Sequence, residues 1–290
     1  MSTVKNIVLQ ARLIASSNWL QAMQILESAI SEYPEEGRLY AELGSLYSQK
    51  DNAIKAAEYY GKALKYDKDN ESYMFSLGTT YFQLKKYNKA IEVFEKIKSF
   101  FPEAMYNKAL TYRALGENGK DVQILKMLAD KRVKIDSVYV ALLSDSLQND
   151  NEEEFLQYLN IAKNLEIESA NIVFLEGLHY MRKGNYLAAF HAFSKGGDEC
   201  YQNERYCTAY FHAAIFIGNL DNALNIINKT LEVFKENPEA LFNRAKLYLM
   251  LDNLDLAKKD IETIKKLGYK EHLKAANREL KLYMNKKANK

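Results

Sequence analysis

Leu43-Gly44-Ser45-Leu46-Tyr47 returns as Leu77-Gly78-Thr79-Thr80-Tyr81, with each residue 34 positions after its partner. A large apolar residue, a glycine and a tyrosine at one, two and five are not a strand pattern. They fit one face of a helix, where residues three and four apart are neighbours. The same period of 34 joins Ala22, Ala56 and Ala90, then Ala29 and Ala63, then Tyr60 and Phe94. A fixed period of this length decides the architecture before any other feature is weighed.

The phase returns towards the C-terminus. Ala189, Ala223 and Ala257 are spaced by 34, as are Gly184 and Gly218. Asp121 and Phe155 lie in register with Ala189, and the only slip is the step of 31 from Ala90 to Asp121. Three residues are therefore expected to be missing from the loop near Pro102. The count is eight units, near 3–36, 37–70, 71–101, 102–135, 136–169, 170–203, 204–237 and 238–269. Pro34, Pro102 and Pro238 sit where one hairpin stops and the next begins, because proline cannot continue a helix interior. Gly116, Gly184 and Gly218 fall between paired helices, where a left-handed turn is needed.

Within each unit the small residues Gly44, Ala56 and Ala63 let helices approach, and Tyr47 and Tyr60 fill the wider gaps. A single hairpin cannot bury its own apolar face, so the units are expected to stack into one solenoid over 3–269. The final segment, 270–290, is read as an amphipathic capping helix with a basic tail. Leu273, Ala276, Leu280 and Tyr283 there alternate with Lys274, Asn277, Arg278 and Lys281. The four lysines between Lys281 and Lys290 are expected to belong to a frayed, solvated end.

This pattern resembles the tetratricopeptide-repeat (TPR) family. The second unit supplies Tyr40, Leu43, Gly44, Tyr47, Ala56, Tyr60 and Ala63, with Lys68 in the proline slot. The third supplies Leu77, Gly78, Tyr81, Ala90, Phe94 and Pro102, and the sixth Gly177, Tyr180, Gly184, Ala189 and Phe193. The eighth adds Ala245, Tyr248 and Ala257. The fold implied is all-α, an α-α superhelix of about eight hairpins plus the capping helix. Asp121 and Phe155 depart from the small residue the family places there. That predicts splayed helices in the fourth and fifth units, either as ordinary repeat degeneracy or as a hinge between two binding halves. Glu152, Glu153 and Glu154 are read as the first turn of a helix, where acids suit the helix dipole.

Composition narrows the function. Of 290 residues, 40 are Lys or Arg and 38 Asp or Glu, a net charge of +2 that gives no broad pull towards nucleic acid or an anionic membrane. An RNA-binding helical repeat, which needs a basic face, is the alternative kept, together with a regulatory sensor. No run of 18 apolar residues exists, so membrane insertion is not expected. The two cysteines, Cys200 and Cys207, fit no zinc spacing and are read as core thiols in a reducing compartment. A cytoplasmic location follows, or a periplasmic or organellar one if a leader has been removed.

No Walker loop, dinucleotide fingerprint or nucleophile elbow occurs, and none of His179, His191, His212 and His272 has a histidine or cysteine partner at helical spacing. No catalytic residue, metal or cofactor is expected, and the chain is read as a non-enzyme. The resemblance implies a concave groove lined by the first helix of each pair. The basic, asparagine-containing clamp that co-chaperones of the family use is missing. The second unit offers Arg38, Ala41, Ser45 and Ser48, and the third Ser72, Phe75, Thr79 and Phe82. The projected partner-binding face is instead Phe75, Phe82, Tyr106, Phe174, His212 and Phe242, with Asn107, Arg113, Asn171, Arg182, Asn243 and Lys246 as polar and cationic points. Aromatic anchors with a few polar groups suit an extended peptide or an amphipathic helix of a protein partner. A competing reading packs these rings between units. Ile7, Val8, Leu9 and Ile14 make the first helix apolar enough to meet another copy of the chain.

Overall fold

The structure, a computed structural model, describes residues 2–288. Every regular element among them is helical. The helices pair in order: α1 (Ser2–Ala15) with α2 (Trp19–Glu32), α3 (Gly37–Gln49) with α4 (Ala53–Tyr66), α5 (Glu71–Gln83) with α6 (Tyr87–Phe94) and α7 (Pro102–Ala114) with α8 (Asn118–Asp130). Then α9 (Asp136–Gln148) pairs with α10 (Glu152–Asn164), α11 (Ala170–Arg182) with α12 (Tyr186–Phe193), α13 (Glu204–Phe216) with α14 (Leu220–Val233) and α15 (Pro238–Met250) with α16 (Leu254–Lys266). The last helix, α17 (Lys270–Ala288), packs on α15 and α16. The eight hairpins and the terminal helix match the expected all-α architecture. They cluster in two compact units, one ending at Val133 and one starting at Lys134.

Local chemistry explains where six of the eight second helices start. Asn18, Asn52, Asn151, Asn185, Asn219 and Asn253 hold equivalent places, and each side chain accepts the backbone N–H three residues on. An N-cap of this kind satisfies an otherwise orphaned donor and is worth about 1 kcal/mol. This row of asparagines has the same period as the alanines. It is legible in the sequence itself. Glu152, Glu153 and Glu154 form the first turn of α10, as expected. Pro102 and Pro238 open α7 and α15. Gly116, Gly184 and Gly218 take positive φ between paired helices, also as expected.

The close approach between paired helices is set by a matched couple sixteen residues apart. A Cβ on Gly44 would meet the Tyr60 ring at 2.9 Å, and one on Gly78 would meet Phe94 at 2.6 Å. Gly177 faces Phe193 in the same way. Where the glycine is replaced by alanine, the ring becomes aliphatic: Ala109 is matched by Leu125 and Ala245 by Ile261, and all four are buried.

Three expectations are corrected. The missing three residues near Pro102 are not a shortened loop. Helix α6 has 8 residues where α4 has 14, and the connection that follows is three residues longer than the one after α4. The helices of the fourth and fifth units are not splayed by their odd residues. Asp121 is buried and accepts from Arg113 Nε at 2.7 Å, while Phe155 is fully buried and stacks on His179 with ring centroids 4.6 Å apart. The C-terminal lysines Lys281, Lys286 and Lys287 lie in α17 rather than in a frayed end, with Lys287 paired to Asp252; Lys290 lies outside the described residues. Leu273 and Leu280 pack against the core beside the buried Ala276, as a capping helix should.

Candidate functional site

The first helices α1, α3 and α5 of the compact unit that ends at Val133 carry two clefts. One, of about 620 Å³, is lined by Lys5, Asn6, Leu9 and Arg12 of α1, Arg38, Ala41, Glu42 and Ser45 of α3 and Ser72, Tyr73 and Ser76 of α5. Another, of about 780 Å³, shares Lys5, Arg38, Asn70 and Tyr73 with it, so the two run together. Helical periodicity presents these residues: Arg38, Ala41 and Ser45 are three and four apart on α3. Arg12 donates from Nε and Nη2 to both oxygens of the buried Glu42, at 2.8 and 2.7 Å. That bidentate pair consumes the only carboxylate of the first cleft and holds the Arg12 guanidinium further above its ordinary value. Lys5 and Arg38 remain as cations, and serines and asparagines supply donors and acceptors. Burial is the main influence on the Tyr73 phenol, pushing its pKa up, with Asp67 adding to the rise and Arg38 opposing it.

The projected aromatic residues fall differently. Phe75 is half-buried against Phe101, centroids 4.8 Å apart, and Phe174 stacks on Tyr206 at 5.3 Å. Phe82 leans on Tyr87 at 5.6 Å, and Phe242 joins the core of the last hairpins. These rings pack within and between hairpins, as the competing reading had it. Tyr106 is half-buried on α7. Several polar points are also structural ties. Asn107 Nδ2 donates to Thr79 Oγ1 at 3.0 Å, joining α7 to α5, and Arg182 donates to the Leu147 carbonyl oxygen, joining α11 to α9. Arg113 is the partner of Asp121. Asn171 is exposed on α11.

In the compact unit that starts at Lys134, three of the projected residues, His212, Asn243 and Lys246, do come together around Glu239. Glu239, in the first turn of α15, accepts from Asn243 Nδ2 at 3.3 Å and lies 3.4 Å from His272 Nε2 of α17. Burial lowers the His212 pKa, the Glu239 charge opposes that, and Lys246 adds to it. Glu239 and His272 were not projected. The signal available was the acid directly after Pro238, a place where first-turn acids gather. His179 and His212 keep separate neighbours: His179 faces Phe155 and Glu152, with its pKa lowered chiefly by burial. No group of three or more metal-ligating side chains occurs among the described residues. Cys200 and Cys207 are free and buried, and burial pushes the Cys200 thiol up to about 11. That is the behaviour of an inert core thiol.

Stacked helix pairs joined by tight turns, with first helices lining a cleft, define an α-helical repeat module. Residues 43–104 match the sequence model of the tetratricopeptide repeat, and solved TPR structures share the fold. A TPR protein from Parabacteroides merdae aligns with TM-score 0.54 and 17% identity, over 86% of this chain and 99% of that one. The Cut9–Hcn1 hetero-tetramer of the APC/C is similar with TM-score 0.53 and 15% identity, over 93% of this chain and 55% of that one. Among curated proteins, human protein O-mannosyl-transferase TMTC3 is 30% identical over 101 residues. That match takes in 33% of this chain and 11% of TMTC3, so the chain spans about a tenth of that relative's length. No described helix is long and apolar enough to cross a membrane.

Proposed function

We propose that the chain is a non-catalytic protein-interaction scaffold that holds an extended peptide or helix of a partner against its first helices and so helps assemble a multiprotein complex. The observation that carries this reading is the pair of continuous clefts across α1, α3 and α5. They are open to solvent and lined by hydroxyls and amides, with Lys5 and Arg38 in both, Glu42 of the first tied up by Arg12, and Lys68, Glu36, Asp67 and Asp69 along the second. Such a surface matches main-chain and side-chain groups along a peptide better than it encloses a small substrate. The similarity to a subunit found in a hetero-tetramer supports the same reading. A cytoplasmic setting agrees with two reduced thiols.

The test uses a photo-crosslinking amino acid in place of Ser72, an exposed residue of the cleft, and in place of Ile54, which is 71% exposed on the second-helix side. Neither substitution removes a buried side chain, so folding is not at stake. A protein crosslinked from Ser72 and not from Ile54 supports the cleft. Capture only from Ile54, or only of nucleic acid, overturns it.

A further inference from the structure

We propose that the junction between α6 and α7 is a socket for an aromatic side chain presented by a partner protein. The argument comes from a comparison inside the chain. Helices α6 and α12 both stop after 8 residues, at Phe94 and Phe193, whereas the second helices α4, α10 and α14 run for 13 or 14. Phe75, Ala90 and Phe94 correspond to Phe174, Ala189 and Phe193, each 99 residues apart. The helices that follow open at Pro102 and Glu204, so their third residues, Ala104 and Tyr206, also correspond.

At the α12 junction the missing turns are replaced by two short 3-10 segments, Ser194–Gly196 and Asp198–Gln202, and by the ring of Tyr206. That ring is 1% exposed, stacks on Phe174 and meets Phe193 edge-on at 5.4 Å. Its hydroxyl donates to the Phe193 carbonyl oxygen at 2.6 Å, a group left over by the early helix end. A Cβ at Gly196 would collide with that hydroxyl, so this junction is built around a ring.

At the α6 junction the ring is absent because Ala104 stands in its place. Phe101 takes over the contact with Phe75, and Ile97 stands where Gly196 does. They fill only part of the space. A cavity of about 310 Å³ remains, walled by Phe94, Ile97, Ala104, Met105 and Ile124 and opening beside Phe100. Phe100 is 49% exposed, with Lys131 Nζ 5.0 Å from its ring centre. The size is at the lower end of ligand pockets, roughly 300 Å³, which suits one ring rather than a cofactor. The Phe94 carbonyl oxygen already accepts from Ile97 N–H at 3.2 Å, so a ring hydroxyl is not required and phenylalanine fits as well as tyrosine. A buried ring beside an exposed aromatic and a lysine is the composition of an interface anchor. This socket is lined by other residues than the α1–α3–α5 clefts and stands whichever way the crosslink at Ser72 turns out.

The test begins with the full chain carrying isotope-labelled isoleucine and methionine methyl groups, titrated with toluene and with p-cresol as stand-ins for the two side chains. Saturable shifts at Ile97, Met105 and Ile124 are expected with both. Ala104→Tyr, which places the occupant of the other junction in this one, should weaken both at least ten-fold. Where that variant does not fold, Ile124→Phe fills the cavity from the opposite wall. A photo-crosslinker at Phe100 should then capture a protein that the filled variant loses. Absence of methyl shifts, shifts that survive filling, or capture that survives filling would each overturn the proposal.

Discussion

Ala189 and Phe155 hold the same place in consecutive hairpins, and both are fully buried. One is the small residue that lets two helices close up; the other is a ring in the same crossing. The helices accept both because the neighbouring helix changes with them. His179 of α11 stacks on Phe155, and in the other unit Arg113 answers Asp121. What the repeat keeps is spacing and total volume, not a residue at each place. That is the behaviour of close-packed interiors, which tolerate exchange when volume is conserved and penalise a hole.

The comparison breaks most sharply at Phe155→Ala. Alanine is what Ala56, Ala90 and Ala189 already are, so a residue-by-residue view expects no harm. The packing expects a cavity beneath His179 and a loss of about 3–5 kcal/mol, read as a lower urea midpoint. An unchanged midpoint would mean that α9, α10 and α11 close over the gap, and that the ring is ornament rather than filling.

The same logic separates what the sequence discloses from what it hides. Leu43-Gly44 and Leu77-Gly78 reveal the hairpins because their constraint is local: a helix pair that comes this close needs a glycine opposite a ring. The end of α6 was hidden because nothing in Glu95-Lys96-Ile97 forbids another helical turn and packing around Phe101 decides there; at α12 the local signal was Gly196-Gly197, whose second glycine takes φ of +60°. The projected rings are tied into the packing for a related reason. Phe75 and Phe174 pack from a first helix against Phe101 and Tyr206, and helical spacing does not say which side holds the next ring. The cleft residues Lys5 and Arg38 come from different hairpins, and only stacking brings them together.

Gly78 and Phe94 give a smaller and more diagnostic break. Gly78→Ala adds a Cβ at 2.6 Å from the ring and should lower stability by about 1–3 kcal/mol. Phe94→Leu alone leaves a hole and also destabilises. The double variant copies the natural pair Ala109 and Leu125, so it should be more stable than the two separate losses summed. Strict additivity in urea unfolding would show that the matched couples are coincidence.

The smallest expected effect lies in the turns inside the hairpins. Gly116, Gly184 and Gly218 take φ of +78, +70 and +73°, and the equivalent residues Asp51, Lys85, Asp150 and Asp252 take 54 to 63°. The left-handed region is costly for residues with a Cβ, and short polar Asp tolerates it better than long Lys. Lys85 is therefore the residue least suited to its backbone. Lys85→Gly relieves that strain but gives the unfolded chain more freedom, which offsets part of the gain. The net should be a stabilisation of about 0.5–1 kcal/mol. Asp51→Gly should gain less. A raised urea midpoint for Lys85→Gly with no change for Asp51→Gly would place the strain in the side chain; a lowered midpoint for Lys85→Gly would show that the lysine itself holds the turn.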